Sequence, residues 1–364
     1  MREYQVCANC VMDTSDPDIS FDEKGVCSWC HSVRAKQVHY FAKHIYLKAI
    51  LADLSRQRGK YSCILGLSGG LDSSYLAYIA HVLHLKPLVV VLKSPWDADE
   101  ARGNIERIFA KLDYDIRYAE LGDNFTDLQL AYVKSGVINL EIPQDHAIVA
   151  TLWEAARELG IKYILTGHNQ ATESIHPSAW GFNPMDVENI KDIHRKFGDG
   201  RTEAAMPLLS SLRRAWLEWK HGIRVVSLLD YLEYSRKLAQ DMLERELGWQ
   251  DYGGKHRENV YTRWYQCYVM PTRWGIDKRR SHLSARILNG EMSRAEALEE
   301  LKRPTYDRDV MVEDFDKVAK GLRVDVSYLK RLVEEKPRRK HADFKVEPEW
   351  KRKVEYLARR TRVL

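Results

Sequence analysis

Three observations predict an α/β fold built on a parallel sheet. Four short apolar runs recur along the chain, segments of helical periodicity lie between them, and a Ser-Gly-Gly turn stands directly behind the first run. The runs are YSCILGL at 61–67, PLVVVL at 87–92, and the segments 114–119 and 162–166. Strands that alternate with helices of ten or more residues form βαβ units. The resulting sheet is covered on both faces, so its strands read as nearly continuous apolar runs. Helices are predicted from the Ser-Gly-Gly turn to His84 and over 98–112, 124–134 and 144–159. The chain has 364 residues, 45% of them hydrophobic and 30% charged. That balance excludes a wholly disordered protein, and the length allows one large or two modest domains.

Other textures flank this core. Residues 1–34 are polar and hold four of the six cysteines. A linking helix is predicted within 35–59, with Tyr40, Phe41, Ile45, Leu47, Ile50, Leu51 and Leu54 on its apolar stripe and Gly59 ending it. The core extends over 60–222, and its part after residue 171 reads as loop-rich. Residues 223–364 form a mainly helical C-terminal region. A helix over 231–247 ends at Gly248, Ser293 and Glu296 make a capping box, and another helix spans 326–335. Net charge is +5, and residues 336–364 carry eleven Lys or Arg against four Asp or Glu. The body is thus near neutral and the tail is basic, which suits a solvated helical face, nucleic acid, an acidic partner or an anionic membrane surface. No run of eighteen apolar residues occurs, and the N-terminus lacks the apolar stretch of a secretion signal. A cytoplasmic location without a membrane span is expected.

The strongest chemical signal is Ser68-Gly69-Gly70-Leu71-Asp72-Ser73-Ser74, placed between a buried strand and a helix. Glycines let backbone turn tightly around a ligand, amides at a helix N-terminus attract anions, and the serines add hydroxyl donors. The loop is therefore a cradle for an anion of pyrophosphate size. It is neither G-x-x-x-x-G-K-[ST] nor G-x-G-x-x-G, so it lacks a phosphate-binding lysine and disfavours a dinucleotide. Behind the fourth strand comes Thr166-Gly167-His168-Asn169, then Glu173. Ligands of open α/β sheets sit at the carboxyl ends of strands, where Gly167 and Asn169 would lie beside the first loop.

Cys7-x2-Cys10 and Cys27-x2-Cys30, sixteen residues apart, have the spacing of a zinc ribbon. Four protein thiolates fill a tetrahedron, so the site is expected to be structural. An iron–sulfur cluster accepts the same ligands. Cys63 and Cys267 stand apart, and Cys63 reads as a small buried hydrophobe. Two polar stretches complete the inventory. One contains Lys255 and His256, the other Lys278, Arg279, Arg280 and His282. Such cations beside a nucleotide site hold phosphate or carboxylate.

The loop SGGLDSS resembles the signature of the PP-loop (adenine nucleotide alpha hydrolase-like) ATP pyrophosphatases. The resemblance implies that Ser68, Gly69, Gly70, Ser73 and Ser74 hold the pyrophosphate of ATP, that Asp72 stands near Mg2+ or fixes the loop, and that Gly167, His168, Asn169 and Glu173 line the nucleotide site. One departure is Lys93-Ser94-Pro95-Trp96-Asp97 after the second strand, where relatives carry an acidic or Asn-Gly element. The four cysteines, SGGLDSS, the G-H-N segment, YGGKH and DKRRSHLSARILNGEMSRAEAL together are similar to the N-acetyl sugar amidotransferases of surface-polysaccharide synthesis. That resemblance implies an enzyme that adenylates the acetamido oxygen of a nucleotide-linked sugar, whose diphosphate Lys255, Arg279 or Lys278 would hold, and replaces the oxygen with ammonia. The product would be an acetamidino sugar for lipopolysaccharide O-antigen or a related glycan. It also implies structural Zn2+ and a separate glutaminase subunit, since the chain has neither an N-terminal cysteine nucleophile nor a G-x-C-x-G element. Nucleic acid is not the expected partner, although a tRNA-thiolating PP-loop enzyme is the alternative that the cysteines and basic tail permit.

Overall fold

The computed structural model describes residues 3–37, 40–253, 258–335, 337–351 and 353–354. The helices and strands in chain order begin with α1 (Ser28–Gln37) and α2 (Tyr40–Ser55), which precede β1 (Cys63–Gly66), α3 (Leu71–Val82), β2 (Pro87–Lys93), α4 (Asp99–Lys111) and β3 (Ile116–Glu120). Next come α5 (Phe125–Ser135), α6 (Ile142–Leu159), β4 (Tyr163–Leu165), α7 (Gln170–Glu173), α8 (Val187–Phe197), α9 (Thr202–Ala205), α10 (Ser211–His221) and β5 (Arg224–Val226). The C-terminal region holds α11 (Arg236–Leu247), α12 (Val260–Trp264), a π-helical stretch over Tyr265–Trp274, α13 (Arg279–Leu288), α14 (Arg294–Lys302), α15 (Arg308–Gly321) and α16 (Val326–Glu334).

The strands form one parallel sheet in the order β3-β2-β1-β4-β5. The predicted α/β class is the observed one. Cys63, Ile64 and Leu65 of β1 are fully buried, as a central strand covered on both faces requires. The chain winds outward from β1 through β2 to β3, then returns to place β4 on the other side of β1. The order reverses between β1 and β4, and the crevice at their carboxyl ends is where such sheets take ligands.

The segment that reads as loop-rich contains two helices of eleven residues, and a fifth strand follows it at the start of the region that reads as mainly helical. Asp186 caps α8 by accepting the Asn189 amide, Ser210 caps α10 by accepting the Arg213 amide, and Gly222 ends α10 in the left-handed conformation. β5 is only three residues long and leaves Val225 half exposed at the sheet edge. It is too short for an apolar pattern to betray it. The predicted helix over 231–247 starts later, at Arg236, because Ser235 accepts the Leu238 amide and so sets the first turn. The capping box of Ser293 and Glu296 forms as read.

Candidate active site

β1 delivers Ser68–Ser74 to the switch point, where α3 begins. Gly69 has φ +76°, and an added Cβ would fall 2.2 Å from the Ala101 carbonyl oxygen, so only glycine fits the turn. The Gly69 carbonyl accepts from Trp249 Nε1 at 3.1 Å and from Asn104 Nδ2 at 3.4 Å. The Ser68 amide donates to Ser73 Oγ at 3.2 Å, and Ser73 Oγ donates to the Gly70 carbonyl at 3.2 Å. The Leu71 amide donates to the Tyr252 hydroxyl at 3.0 Å. Tyr234 donates to Asp72. Segments on both sides of α11 therefore brace the loop.

β4 delivers Gly167 and His168 beside it. A Cβ on Gly167 would stand 2.9 Å from the Ser73 nitrogen, so the two loops touch only because this residue is glycine. His168 Nδ1 lies 2.5 Å from Glu173 Oε2. Ser68, Gly70, Asp72, Ser73, Gly167, His168 and Glu173 line one recess of about 190 Å³. Arg236, Tyr252 and Glu258 complete it. The guanidinium of Arg236, from the first turn of α11, supplies the positive charge that the loop lacks. Its position after a Ser cap gave no signal in the sequence.

The recess opens into a larger cavity of about 610 Å³. Its outer part is walled by the ends of β1, β2 and β4. Its inner part is walled by Glu141, Gln144 and Asp145 at the start of α6, by His176 and Trp180, and by Thr262, Tyr265, Gln266, Lys278 and His282 of the C-terminal region. Gln266 Nε2 donates to both Glu141 oxygens, at 3.3 and 3.1 Å. Lys278 Nζ lies over the Trp180 ring, 5.8 Å from its centroid. Asp145 meets solvent inside the cleft while protein surrounds it. Desolvation, then the Glu141 charge, push its carboxyl well above the usual range, with Lys278 opposing. Desolvation likewise raises Glu141. Burial lowers His176 to about 4 and raises Asp97, at the outer rim, to about 6. Neither Glu141 nor Asp145 stands out in the sequence. Their four-residue spacing would place them on one helix face, but nothing local says that this face meets a cavity.

Other residues singled out in the sequence stand elsewhere. Ser74 is wholly buried on α3 and lines neither space. Asn169 is buried as the cap of α7, accepting the Thr172 amide at 2.9 Å and donating to the Gly167 carbonyl. Arg279 is held by both oxygens of Asp277 and by the Glu300 carbonyl. Arg280 binds Asp13 at 2.9 Å and the Val11 carbonyl at 2.8 Å. These two arginines hold structure rather than line the cavity. Lys255 and His256 lie outside the described residues.

The four N-terminal cysteines are buried with their sulfurs within 4.8 Å of one another. Cys7–Cys30, Cys10–Cys27 and Cys27–Cys30 are 3.8, 3.6 and 3.7 Å apart. Four ligands about 2.3 Å from one ion form a tetrahedron with edges of about 3.8 Å. Amides of Asn9, Cys10 and Cys27 point at Cys7 Sγ and favour its thiolate. This module backs the cavity. Trp180 Nε1 donates to the Ser15 carbonyl, and Arg294 donates to the carbonyls of Cys7 and Cys10.

Fold and recess together define an α/β protein with a glycine- and serine-rich anion loop at the switch point of a parallel sheet, a four-cysteine module and a helical C-terminal region. Residues 258–356 match the family described as LPS biosynthesis protein WbpG-like, C-terminal domain. An uncharacterized protein of Methanocaldococcus jannaschii, MJ1599, is 24% identical over 314 residues, 84% of this chain and 96% of its own. Among solved structures, the NH3-dependent NAD synthetase of Campylobacter jejuni is 14% identical, with TM-score 0.29, over 58% of this chain and 97% of its own. The U34-tRNA thiolase NcsA of Methanococcus maripaludis, which carries a [4Fe-4S] cluster, is 14% identical, with TM-score 0.35, over 93% and 91%. No helix among the described residues is long and apolar enough to cross a membrane.

Proposed function

We propose that this chain is an ATP-dependent, AMP-forming amidotransferase that converts the acetamido group of a sugar to an acetamidino group for lipopolysaccharide synthesis. One observation carries the reading. The cavity that begins at the phosphate loop is walled on its far side by Asn259, Thr262, Gln266, Lys278 and His282, all within the segment similar to the lipopolysaccharide family. In this reading a nucleotide site and an acceptor site share one space.

In this reading Ser68, Ser73, the Gly70 and Leu71 amides and Arg236 receive the pyrophosphate of ATP. Tyr252 gives up the Leu71 amide when the phosphate arrives. Asp72 and Glu173 line the same recess and would hold Mg2+, which would neutralise phosphate charge. The acetamido oxygen attacks the α-phosphorus and pyrophosphate leaves. An amide oxygen is a poor leaving group, and adenylylation makes it a good one. Ammonia adds to the imidate carbon, and AMP departs with the C–O electron pair. Lys278 faces the phosphate that develops there. The ammonia comes from a separate glutaminase subunit. We assign the four thiolates to Zn2+, because their spacing suits a single ion better than the wider corners of a cubane. Residues 1–34 then serve as a metal module, 35–59 as a link, 60–222 as the ATP-binding domain and 223–364 as the acceptor-binding region.

Sulfur transfer finds less support. Cys63 is buried in β1, where burial raises its thiol to about 12. Cys267 lines neither the recess nor the cavity. The test is incubation with ATP, Mg2+, ammonium and a nucleotide-linked acetamido sugar. AMP, pyrophosphate and a sugar about one mass unit lighter, with NH in place of oxygen, support the reading. ADP release, or turnover only with tRNA, overturns it.

A further inference from the structure

The cavity has two ends of different chemistry. At the recess, loop amides, serine hydroxyls and Arg236 suit a phosphate, and Asp72, Glu173 and Glu258 beside them suit the metal ion that accompanies it. At the inner end, Glu141 and Asp145 stand in the field of Lys278, two carboxyl groups to one ammonium group. Its remaining walls admit a small cation: the Trp180 ring already carries Lys278 over its face, and Gln266, which donates to Glu141, has an amide oxygen that can accept.

We propose that Glu141 and Asp145 form the seat of the nitrogen donor as ammonium, and then hold the amidinium product. The assignment rests on the amidotransferase reading above. Ammonium has no lone pair and cannot attack until it loses a proton. Asp145, whose side chain lines the cavity, accepts that proton and exposes the nucleophile. The C–N bond forms to the imidate carbon. As the adduct of the neutral imidate collapses, the C–O bond to AMP breaks, AMP takes the electron pair, and the departing phosphate takes the proton that Asp145 held. An amidinium remains, a planar cation with N–H groups that two carboxylates can accept. Glu141 is fixed by the paired contacts from Gln266 and acts as the anchor. Raised carboxyl pKa values narrow the gap to ammonium and ease the proton transfer.

Two measurements on the full chain test the proposal. The first is direct: saturation-transfer NMR with acetamidinium chloride. Transfer to its methyl group is expected in the unaltered protein, lost in Asp145→Asn and Glu141→Gln, and kept in Glu203→Gln, an exposed carboxylate on α9 paired with Lys191. Transfer that survives both inner substitutions overturns the cation seat. The second separates the half-reactions. In Asp145→Asn the ammonium concentration for half-maximal amidine formation should rise at least about tenfold, well beyond any fall in acetamido-sugar-dependent ATP–pyrophosphate exchange. An equal loss in both steps, with ammonium dependence unchanged, overturns the role in nitrogen delivery. If acetamidinium binds as expected but the unaltered protein shows no exchange with any acetamido sugar, the amidotransferase reading fails while the cation seat stands.

Discussion

Arg236 supplies charge at a recess whose loop carries no lysine. Its contact with Asp251 is loose, 3.6 Å, which leaves the guanidinium able to turn toward phosphate. Arg236→Ala is expected to raise the KM for ATP about tenfold, the worth of one charge-assisted hydrogen bond, with the melting temperature little changed. An unaltered KM would remove the residue from the nucleotide site. His146 illustrates the opposite use of a titratable group. Its Nδ1 donates to the Pro184 carbonyl at 2.7 Å and its Nε2 accepts the Leu209 amide at 3.1 Å, so only the neutral ring fits. Burial lowers His146 and His341 to about 4. Between about pH 6.5 and 4 the unfolded chain binds more protons at these rings. Their contribution to stability is therefore complete above about pH 6.5 and is lost as pH falls toward 4, by on the order of 3 kcal/mol per ring. Imidazole resonances that titrate near 6.5 in the folded protein would contradict this.

At the scale of elements, the site depends on two loops in contact. Gly167 approaches the Ser73 nitrogen so closely that Gly167→Ala forces backbone apart. A cost of about 1–3 kcal/mol in stability is expected, with a larger loss in ATP binding, measured by urea unfolding and by nucleotide titration. Stability loss with unchanged nucleotide affinity would show that loop contact does not shape the recess. The π-helical stretch over Tyr265–Trp274 follows the same logic. It is an irregular segment, and it sets Gln266 and Met270 against the cavity. Such distortions concentrate where a chain must aim side chains at a ligand.

For the molecule as a whole, the cysteine module is joined to the cavity wall through Trp180, and to α13 through Arg280. One equivalent of metal per chain is expected on elemental analysis. Cys27→Ser should release it, expose residues 1–34 to proteolysis and raise the KM for the acceptor more than the KM for ATP. Equal effects on both would show the module to act only through global stability. The C-terminal region also reaches back over the sheet domain. Arg273 donates to the carbonyls of Val333 and Pro337, and Arg339 donates to the Ser135 carbonyl, tying the last described segments to α5.

Local order was legible in the chain. The first four strands, the phosphate loop, the capping box of Ser293 and the cysteine knuckles follow from neighbours a few residues apart: apolar runs, turn glycines, cap hydroxyls and cysteine spacing. A three-residue edge strand and the capped helices α8 and α10 escaped because their signals are short or buried in polar sequence. Tertiary structure alone decided which charges meet. Lys278 enters the cavity while Arg279 and Arg280, its immediate neighbours, turn to Asp277 and Asp13. Glu141, Asp145 and Arg236 reach one space from helices far apart in the chain. Periodicity says which face of a helix is buried, but not what that face will touch, because that depends on how distant elements pack.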